Sequence, residues 1–148
     1  MYNFSDYPTA IAQINGGNDA PHLFGKIKFY QRKDNVLVVA NIFNLPSGNR
    51  SGFFGFHIHE GDNCEGEGFS NTGSHYSPIK TTHPNHAGDL PPLILCNGGA
   101  YMSIITDRFR VQDIIGRTVV IHDSPDDFIS QPSGNAGTKI ACGVICRG

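Results

Sequence analysis

The sequence has no tryptophan, few charged residues and no long apolar run. Charged residues make up 16% of the 148 residues and the net charge is −2. This balance argues against a general nucleic-acid-binding protein, whose usual footprint is a basic patch. A membrane-spanning helix needs roughly 20 consecutive apolar residues, so we predict no membrane association. The length suits one domain with a substantial core, and we predict a single domain over residues 1–148.

The first residues also lack a targeting pattern. The segment "MYNFSDYPTAIAQ" has no basic region followed by an apolar stretch, which is the pattern of a secretory signal peptide. We therefore expect a cytoplasmic protein, or an exported one from which the leader has been removed.

Sustained helical periodicity is absent as well. Eight segments are instead rich in β-branched and aromatic residues, with turn sequences such as "PSGN" and "CNGGA" between them. These segments are residues 9–16, 23–32, 35–45, 52–60, 90–97, 100–107, 114–123 and 139–146. The pattern predicts an all-β, eight-stranded antiparallel sandwich or barrel. Two long irregular stretches, 61–89 and 123–138, are predicted to be functional loops because loops of this length seldom serve only as connections.

Cysteine is scarce, and its spacing lacks the C-x-x-C pairs of a zinc ribbon. The four cysteines are Cys64, Cys96, Cys142 and Cys146. Spacing alone allows a disulfide from Cys64 but does not prove one, and the alternative is four free buried thiols.

Histidine, in contrast, is concentrated in one part of the chain. His57 and His59 in "GFHIHEGDNC" are two residues apart in a predicted strand, so both rings share one face and can reach one metal ion. Six of the seven histidines lie in or beside the two long loops: His57, His59, His75, His83, His86 and His122. Asp89 lies three residues after His86. Imidazole is a common ligand for zinc and copper, and a carboxylate can complete a zinc site. The cluster predicts a metal site, with a set of polar loop histidines as the alternative and His22 as a surface residue.

Five segments of the sequence resemble, in order, the signatures of copper/zinc superoxide dismutases. They are "GFHIHEGDN", "GSHYSP", "HPNHAGDLP", "GRTVVIHDSPDD" and "GNAGTKIACGVI", which together span residues 55–145. The resemblance implies an immunoglobulin-like, eight-stranded antiparallel Greek-key fold. It also implies copper and zinc cofactors and the conversion of two superoxide ions and two protons into oxygen and hydrogen peroxide. In this family copper changes oxidation state, whereas zinc has no redox chemistry.

The same resemblance implies a role for each matching residue. The implied copper ligands are His57, His59, His75 and His122, and the implied zinc ligands are His75, His83, His86 and Asp89. His75 would bridge the two metals and also handle a proton during catalysis. Asp126 would hydrogen-bond both His57 and His83 and so fix their ring orientation.

The resemblance further implies a disulfide between Cys64 and Cys142. Closing a loop of about 78 residues should stabilise the fold by about 4 kcal/mol in the chain-entropy model. Cys96 and Cys146 have no counterpart in the family pattern.

Lys139 is where the sequence departs from the family. It stands where the family has an arginine that attracts and holds superoxide, so the charge is kept but the planar two-pronged group is lost. We expect Lys139 to take this catalytic role, with Lys80 as a second source of positive charge. The alternative is that Lys139 is a solvated surface residue.

The predicted partner is the superoxide anion, and the resemblance also implies that a homodimer can form. Two other functions are compatible with the residues. One is a copper-delivery or copper-storage module on the same fold. The other is a zinc-stabilised binding scaffold, which retention of His57, His59 and His122 disfavours because zinc requires none of them.

Overall fold

Antiparallel β-strands dominate the computed structural model, which describes residues 7–148. A 3₁₀ segment, Glu67–Thr72, and a single-turn helix, α1 (Val111–Ile114), lie between strands. The strands are β1 (Ala10–Gly16), β2 (Phe24–Gln31), β3 (Val36–Phe43), β4 (Phe53–Phe54), β5 (Phe56–His59), β6 (Leu93–Ile94), β7 (Ala100–Thr106), β8 (Thr118–His122) and β9 (Lys139–Arg147). Within residues 7–148, no helix has the length and apolarity needed to cross a bilayer.

Seven strands form one sheet in the order β5-β8-β9-β1-β2-β3-β7, and β4 pairs with β6 in a separate ribbon. Every pairing is antiparallel. Between β3 and β5 the chain crosses the sheet from its sixth strand position to its first, and between β7 and β8 it crosses from the seventh to the second. The sheet curls into a Greek-key barrel, which confirms the predicted fold class.

The core lies on the inner face of this sheet and follows the period of two that a half-buried strand requires. In β2, Ile27 and Phe29 are fully buried, whereas Phe24 and Lys26 are exposed. Burying a side chain the size of isoleucine or phenylalanine contributes about 1.5–3 kcal/mol. The alternation of apolar and polar residues therefore fixes which face of β2 turns inward.

Strands β5 and β8 differ because both of their faces are buried. Phe56 and Ile58 belong to the core. His57 and His59 occupy the alternate positions of β5 and point to the opposite face, yet they are also buried. The same holds for His122 at the end of β8. The two long loops cover this outer face and thereby enclose the histidines.

The predicted strand 52–60 is divided into β4 and β5 at Gly55. The Gly55 amide donates to Ser124 O at 2.9 Å, and Gly55 O accepts from the His122 amide at 2.8 Å. A Cβ at position 55 would lie 2.7 Å from the Cβ of Ala136, so only glycine fits. The close approach of the 123–138 loop interrupts the strand.

Two further segments are shorter than predicted. The strand expected over 90–97 is reduced to Leu93–Ile94, because Pro91 and Pro92 have no amide hydrogen to contribute to a ladder. The segment 114–123 starts with the last residue of α1, and its strand covers only Thr118–His122. A single helical turn is too short to give a periodic signal.

A disulfide joins Cys64 in the first long loop to Cys142 in β9, with a Cα–Cα distance of 5.8 Å. This confirms the implied pairing. Cys96 and Cys146 are free and exposed. The bond ties the long loop to the strand that begins with Lys139, beside the histidines.

Candidate metal centre

Four histidines from different elements meet beneath the two long loops. His57 and His59 come from β5, His122 from the end of β8, and His75 from the first long loop. One ring nitrogen of each lies within 4.8 Å of those of the others, and all four side chains are buried. The structure therefore brings together the four residues that the sequence resemblance assigns to copper.

Hydrogen bonds at the far side of each ring determine where the free lone pairs point. His59 Nδ1 donates to Gly73 O at 2.8 Å, and His122 Nδ1 donates to Gly137 O at 3.2 Å. A neutral imidazole carries one hydrogen, so Nε2 of both rings is an acceptor. These two Nε2 atoms are 3.3 Å apart. Two lone pairs that face each other at this distance form a site for a cation.

The other two rings contribute in the same way. His57 Nε2 donates to Asp126 Oδ2 at 2.7 Å, which leaves a lone pair on Nδ1. His75 Nδ1 lies 2.7 Å from Asp89 Oδ1. Both His57 Nδ1 and His75 Nε2 are buried and have no hydrogen-bond partner among residues 7–148. Buried polar atoms are normally paired, so these two acceptors fit coordination to a metal ion.

A second cluster adjoins the first and shares His75 with it. Its members are His75, His83, His86 and Asp89. Asp89 is central: Oδ1 contacts His75 Nδ1, and Oδ2 lies 3.1 Å from Nδ1 of both His83 and His86. His83 Nδ1 carries a lone pair because its Nε2 donates to Asp126, so it faces the carboxylate as a second acceptor. Three imidazoles with one carboxylate are a donor set that zinc accepts.

Asp126 connects the two clusters from behind. Its Oδ2 accepts from His57 Nε2 and its Oδ1 from His83 Nε2, both at 2.7 Å. The Phe128 amide also donates to Oδ1, at 2.7 Å. One carboxylate thus fixes the tautomer and orientation of one ring in each cluster.

Gly134 permits this arrangement, and sequence reasoning had not singled it out. Its φ of 71° is in the left-handed region, which glycine adopts without strain. A Cβ at this position would collide with Asp126 Oδ1 and would lie 2.5 Å from His83 Nε2. The backbone at Gly134 packs directly over the Asp126–His83 hydrogen bond.

Burial keeps His57, His59 and His122 neutral at physiological pH. Burial lowers the pKa of His59 to about 2 and that of His122 to about 3, and it also lowers the pKa of His57. Burial alone would raise the pKa of Asp126, but hydrogen bonds from His57 and His83 hold that pKa well below its usual range. Neutral imidazoles and ionised carboxylates are the forms that bind metal ions.

Lys139 begins β9 and reaches the edge of the first cluster. Its Nζ donates to Thr72 Oγ1 at 2.8 Å and to Gly73 O at 3.1 Å. Partial burial lowers the pKa of its ammonium group. Gly73 O also accepts from His59 Nδ1, so the ammonium group lies beside the first cluster. Thr72 and Gly73 had no signal in the sequence that pointed to this contact.

Comparison with known proteins gives one consistent result. The family model described as copper/zinc superoxide dismutase (SODC) matches residues 23–145. Superoxide dismutase [Cu-Zn] 3 of Arabidopsis thaliana is 34% identical over 92% of this chain and 88% of its own sequence. The superoxide dismutase [Cu-Zn] of Legionella pneumophila is 35% identical over 84% of this chain and 79% of its own.

A solved structure agrees with these sequences. The crystal structure of a double mutant of a SOD-like protein from Bacillus subtilis matches with a TM-score of 0.79 and 26% sequence identity, covering 96% of this chain and 99% of that one. The barrel, the paired histidine clusters and the match over most of the sequence lead to one assignment. This chain belongs to the copper/zinc superoxide dismutase family.

Proposed function

We propose that this protein catalyses the dismutation of superoxide to oxygen and hydrogen peroxide. Copper would be held by His57, His59, His75 and His122, and zinc by His75, His83, His86 and Asp89. One observation carries the proposal: neutral, buried rings direct their free lone pairs at a common point, beside a carboxylate-containing cluster that shares His75. The family membership supports the choice of the two metals.

When bound, copper would supply the one-electron acceptor and donor that the reaction needs, and zinc would supply positive charge without redox chemistry. The protein's own contribution is orientation. The Asp126 carboxylate and two backbone carbonyls, Gly73 O and Gly137 O, each accept a ring hydrogen on the side away from the cluster. The lone pairs therefore point inward before any ion arrives.

His75 is suited to handle a proton because it belongs to both clusters. Its Nδ1 is engaged with Asp89, while its Nε2 is buried and without a hydrogen-bond partner among residues 7–148. A proton placed on Nε2 would lie inside the first cluster, where the peroxide product must be protonated. We therefore assign one of the two protons of the reaction to His75 Nε2.

Lys139 provides a positive charge at the edge of the first cluster. Two of the three ammonium hydrogens are directed to Thr72 and Gly73, and the third remains to meet an anion. Superoxide is a small monoanion, so a single point charge attracts it but cannot hold it in the two-point manner of a guanidinium group. We propose that Lys139 attracts and positions the substrate.

A copper-delivery or copper-storage role is the second candidate. One observation favours it: the similar solved structure is of a protein described only as SOD-like. Its double mutant replaces a tyrosine and a proline by histidine, so the unmutated protein lacks histidine at these two positions. This chain carries six clustered histidines in its own sequence. The complete set favours the enzyme over the delivery module.

The test is reconstitution of the purified protein with copper and zinc, followed by elemental analysis and a dismutation assay. We expect one ion of each metal per chain and copper-dependent activity. His122→Ala should lose copper and activity but keep zinc, because His122 belongs to the first cluster alone. His22→Ala is the matched control, since His22 is exposed and lies outside both clusters. Equal copper content in His122→Ala and the native protein would contradict the assignment.

A further inference from the structure

A groove lies behind the second cluster. A groove of about 430 Å³ separates the loop that carries His83, His86 and Asp89 from the end of β7. Pro84 and Leu90 line one side of this groove and Ile104 the other. Polar side chains that reach across this groove can therefore contact the backbone of residues 83–89.

Arg108, which follows β7, crosses to the loop and makes such contacts. Its Nη1 donates to Pro84 O at 2.7 Å, to His86 O at 3.2 Å and to Asp89 O at 3.4 Å. One charged nitrogen thus reaches three carbonyl groups that surround the ligand-bearing turn. Hydrogen bonds from a charged donor are about twice as strong as neutral ones.

Gln131, in the second long loop, supports the same segment from another direction. Its Nε2 donates to His83 O at 2.7 Å, and its Oε1 accepts from the His83 amide at 2.9 Å. The side-chain amide thereby pairs with both backbone groups of one ligand residue, as a neighbouring strand would. The His83 ring is held separately by Asp126.

We propose that Arg108 and Gln131 are positioning residues for the zinc site. They fix the backbone of residues 83–89 in the shape that directs His83, His86 and Asp89 to a common point, and so they set the zinc affinity. A loop that is already ordered loses less conformational entropy when it binds an ion, and binding is correspondingly tighter. This inference rests on the proposed function, because it assigns zinc to the second cluster.

Both side chains can be removed without disturbing the core, since Arg108 and Gln131 are exposed to solvent. Matched controls are available in the same part of the chain. Arg110 is also exposed, and its Nη1 donates to Lys33 O instead of to the loop. Gln112 is exposed in α1. Arg110→Ala and Gln112→Ala reproduce the change of charge and of side-chain size outside the loop.

The experiment measures zinc affinity of the full chain by competition with a chromophoric chelator, and the visible spectrum of Co²⁺ bound in place of zinc. Arg108→Ala and Gln131→Ala should each weaken zinc binding roughly 10- to 100-fold, the range for residues that orient metal ligands. The Co²⁺ spectrum should change in both variants, and Arg108→Lys should recover part of the affinity. The two control variants should match the native protein.

Native zinc affinity in Arg108→Ala and Gln131→Ala would overturn this inference. So would an equal loss in Arg110→Ala, because a general charge effect would then be responsible. Failure of the native protein to bind zinc at all would instead contradict the proposed function, which keeps the two failures distinct. Thermal unfolding of each metal-free variant, as a single cooperative transition, shows that the measured protein is folded.

Discussion

His59 and Lys139 share one hydrogen-bond acceptor. Gly73 O accepts from His59 Nδ1 at 2.8 Å and from Lys139 Nζ at 3.1 Å. The residue that we propose to attract the substrate is thus fixed by the same carbonyl group that orients His59, one of the proposed copper ligands. Gly73 lies two residues before His75, so the first long loop links substrate attraction, ligand orientation and the residue common to both clusters.

Reversing the charge of Lys139 should slow the reaction. Lys139→Glu places a negative charge beside His59 and should repel superoxide, so the dismutation rate at low salt should fall sharply. Lys139→Arg should equal or exceed the native rate, because guanidinium offers a two-pronged contact. The native rate should decline as salt increases, since screening acts over about 10 Å at 0.1 M ionic strength.

Lys33→Glu controls for the change in net charge, because Lys33 is exposed in the turn between β2 and β3. It should keep most of the native rate. An unchanged low-salt rate in Lys139→Glu would show that Lys139 is only a surface residue.

Asp126→Asn should weaken the binding of both metals, by roughly 10- to 100-fold as for other residues that orient ligands. An amide has one accepting oxygen, so its nitrogen would donate to His57 or His83 and force that ring into the wrong tautomer. Asp127→Asn is the control, because Asp127 is exposed and its carboxylate accepts hydrogen bonds from Ile129 and Ser130 of its own turn. Competition with a chelator measures the metal affinities of the two variants and of the native protein. If Asp126→Asn bound both metals as tightly as the native protein, Asp126 would not orient the ligands.

The metal-free protein should lose stability as the pH falls. The folded-state pKa values of His59 and His122, about 2 and about 3, lie below the unfolded value near 6.5. Below that value the unfolded chain binds protons that the folded chain does not, so the free energy of unfolding falls with pH. Each histidine contributes about 1.4 kcal/mol per pH unit down to its folded pKa. The lowered pKa of Asp126 adds a loss in the same direction at lower pH.

Urea titrations of the metal-free protein at several pH values give this slope. His122→Gln should reduce the slope by one proton, because it removes one of the two buried rings. A free energy of unfolding that stays constant from about pH 7 to about pH 5 would contradict the neutral, buried state of these rings.

Removal of the disulfide should destabilise the fold by about 4 kcal/mol, because the bond between Cys64 and Cys142 closes a long loop. Cys142→Ser should show this loss in chemical denaturation, and reduction of the native protein should reproduce it. Cys96→Ser and Cys146→Ser are controls with small effects, since both thiols are free and exposed. Equal stability of Cys142→Ser and the controls would show that the bond does not constrain the fold.

The strands could be predicted wherever local pattern and tertiary packing agree. The alternation around Ile27 and Phe29 in β2 is such a case. The strand prediction was wrong at Gly55, where contact with Ser124 of a distant loop interrupts the strand. It was also wrong before Leu93, where two prolines have no amide hydrogen to donate to a neighbouring strand. Short-range patterns carry no information about such contacts.

The histidine clusters could be found because their residue types and motifs are distinctive. The supporting contacts could not, since Arg108 and Gln131 reach the loop that carries His83, His86 and Asp89 across 19 to 48 positions in the chain. An arginine or a glutamine in a polar loop has many structural uses. Only the folded backbone shows which carbonyl groups these side chains meet.

The most direct test of the central claim is the number of superoxide ions consumed per copper ion in the fully loaded protein. A delivery or storage module would be reduced once and stop, whereas an enzyme regenerates its copper. Stopped-flow measurement of superoxide decay with the protein in limiting amount separates the two. We predict many superoxide ions consumed per copper, with oxygen and hydrogen peroxide formed in equal amounts. Consumption that ends at about one superoxide ion per copper, in protein shown to hold both metals, would contradict the account.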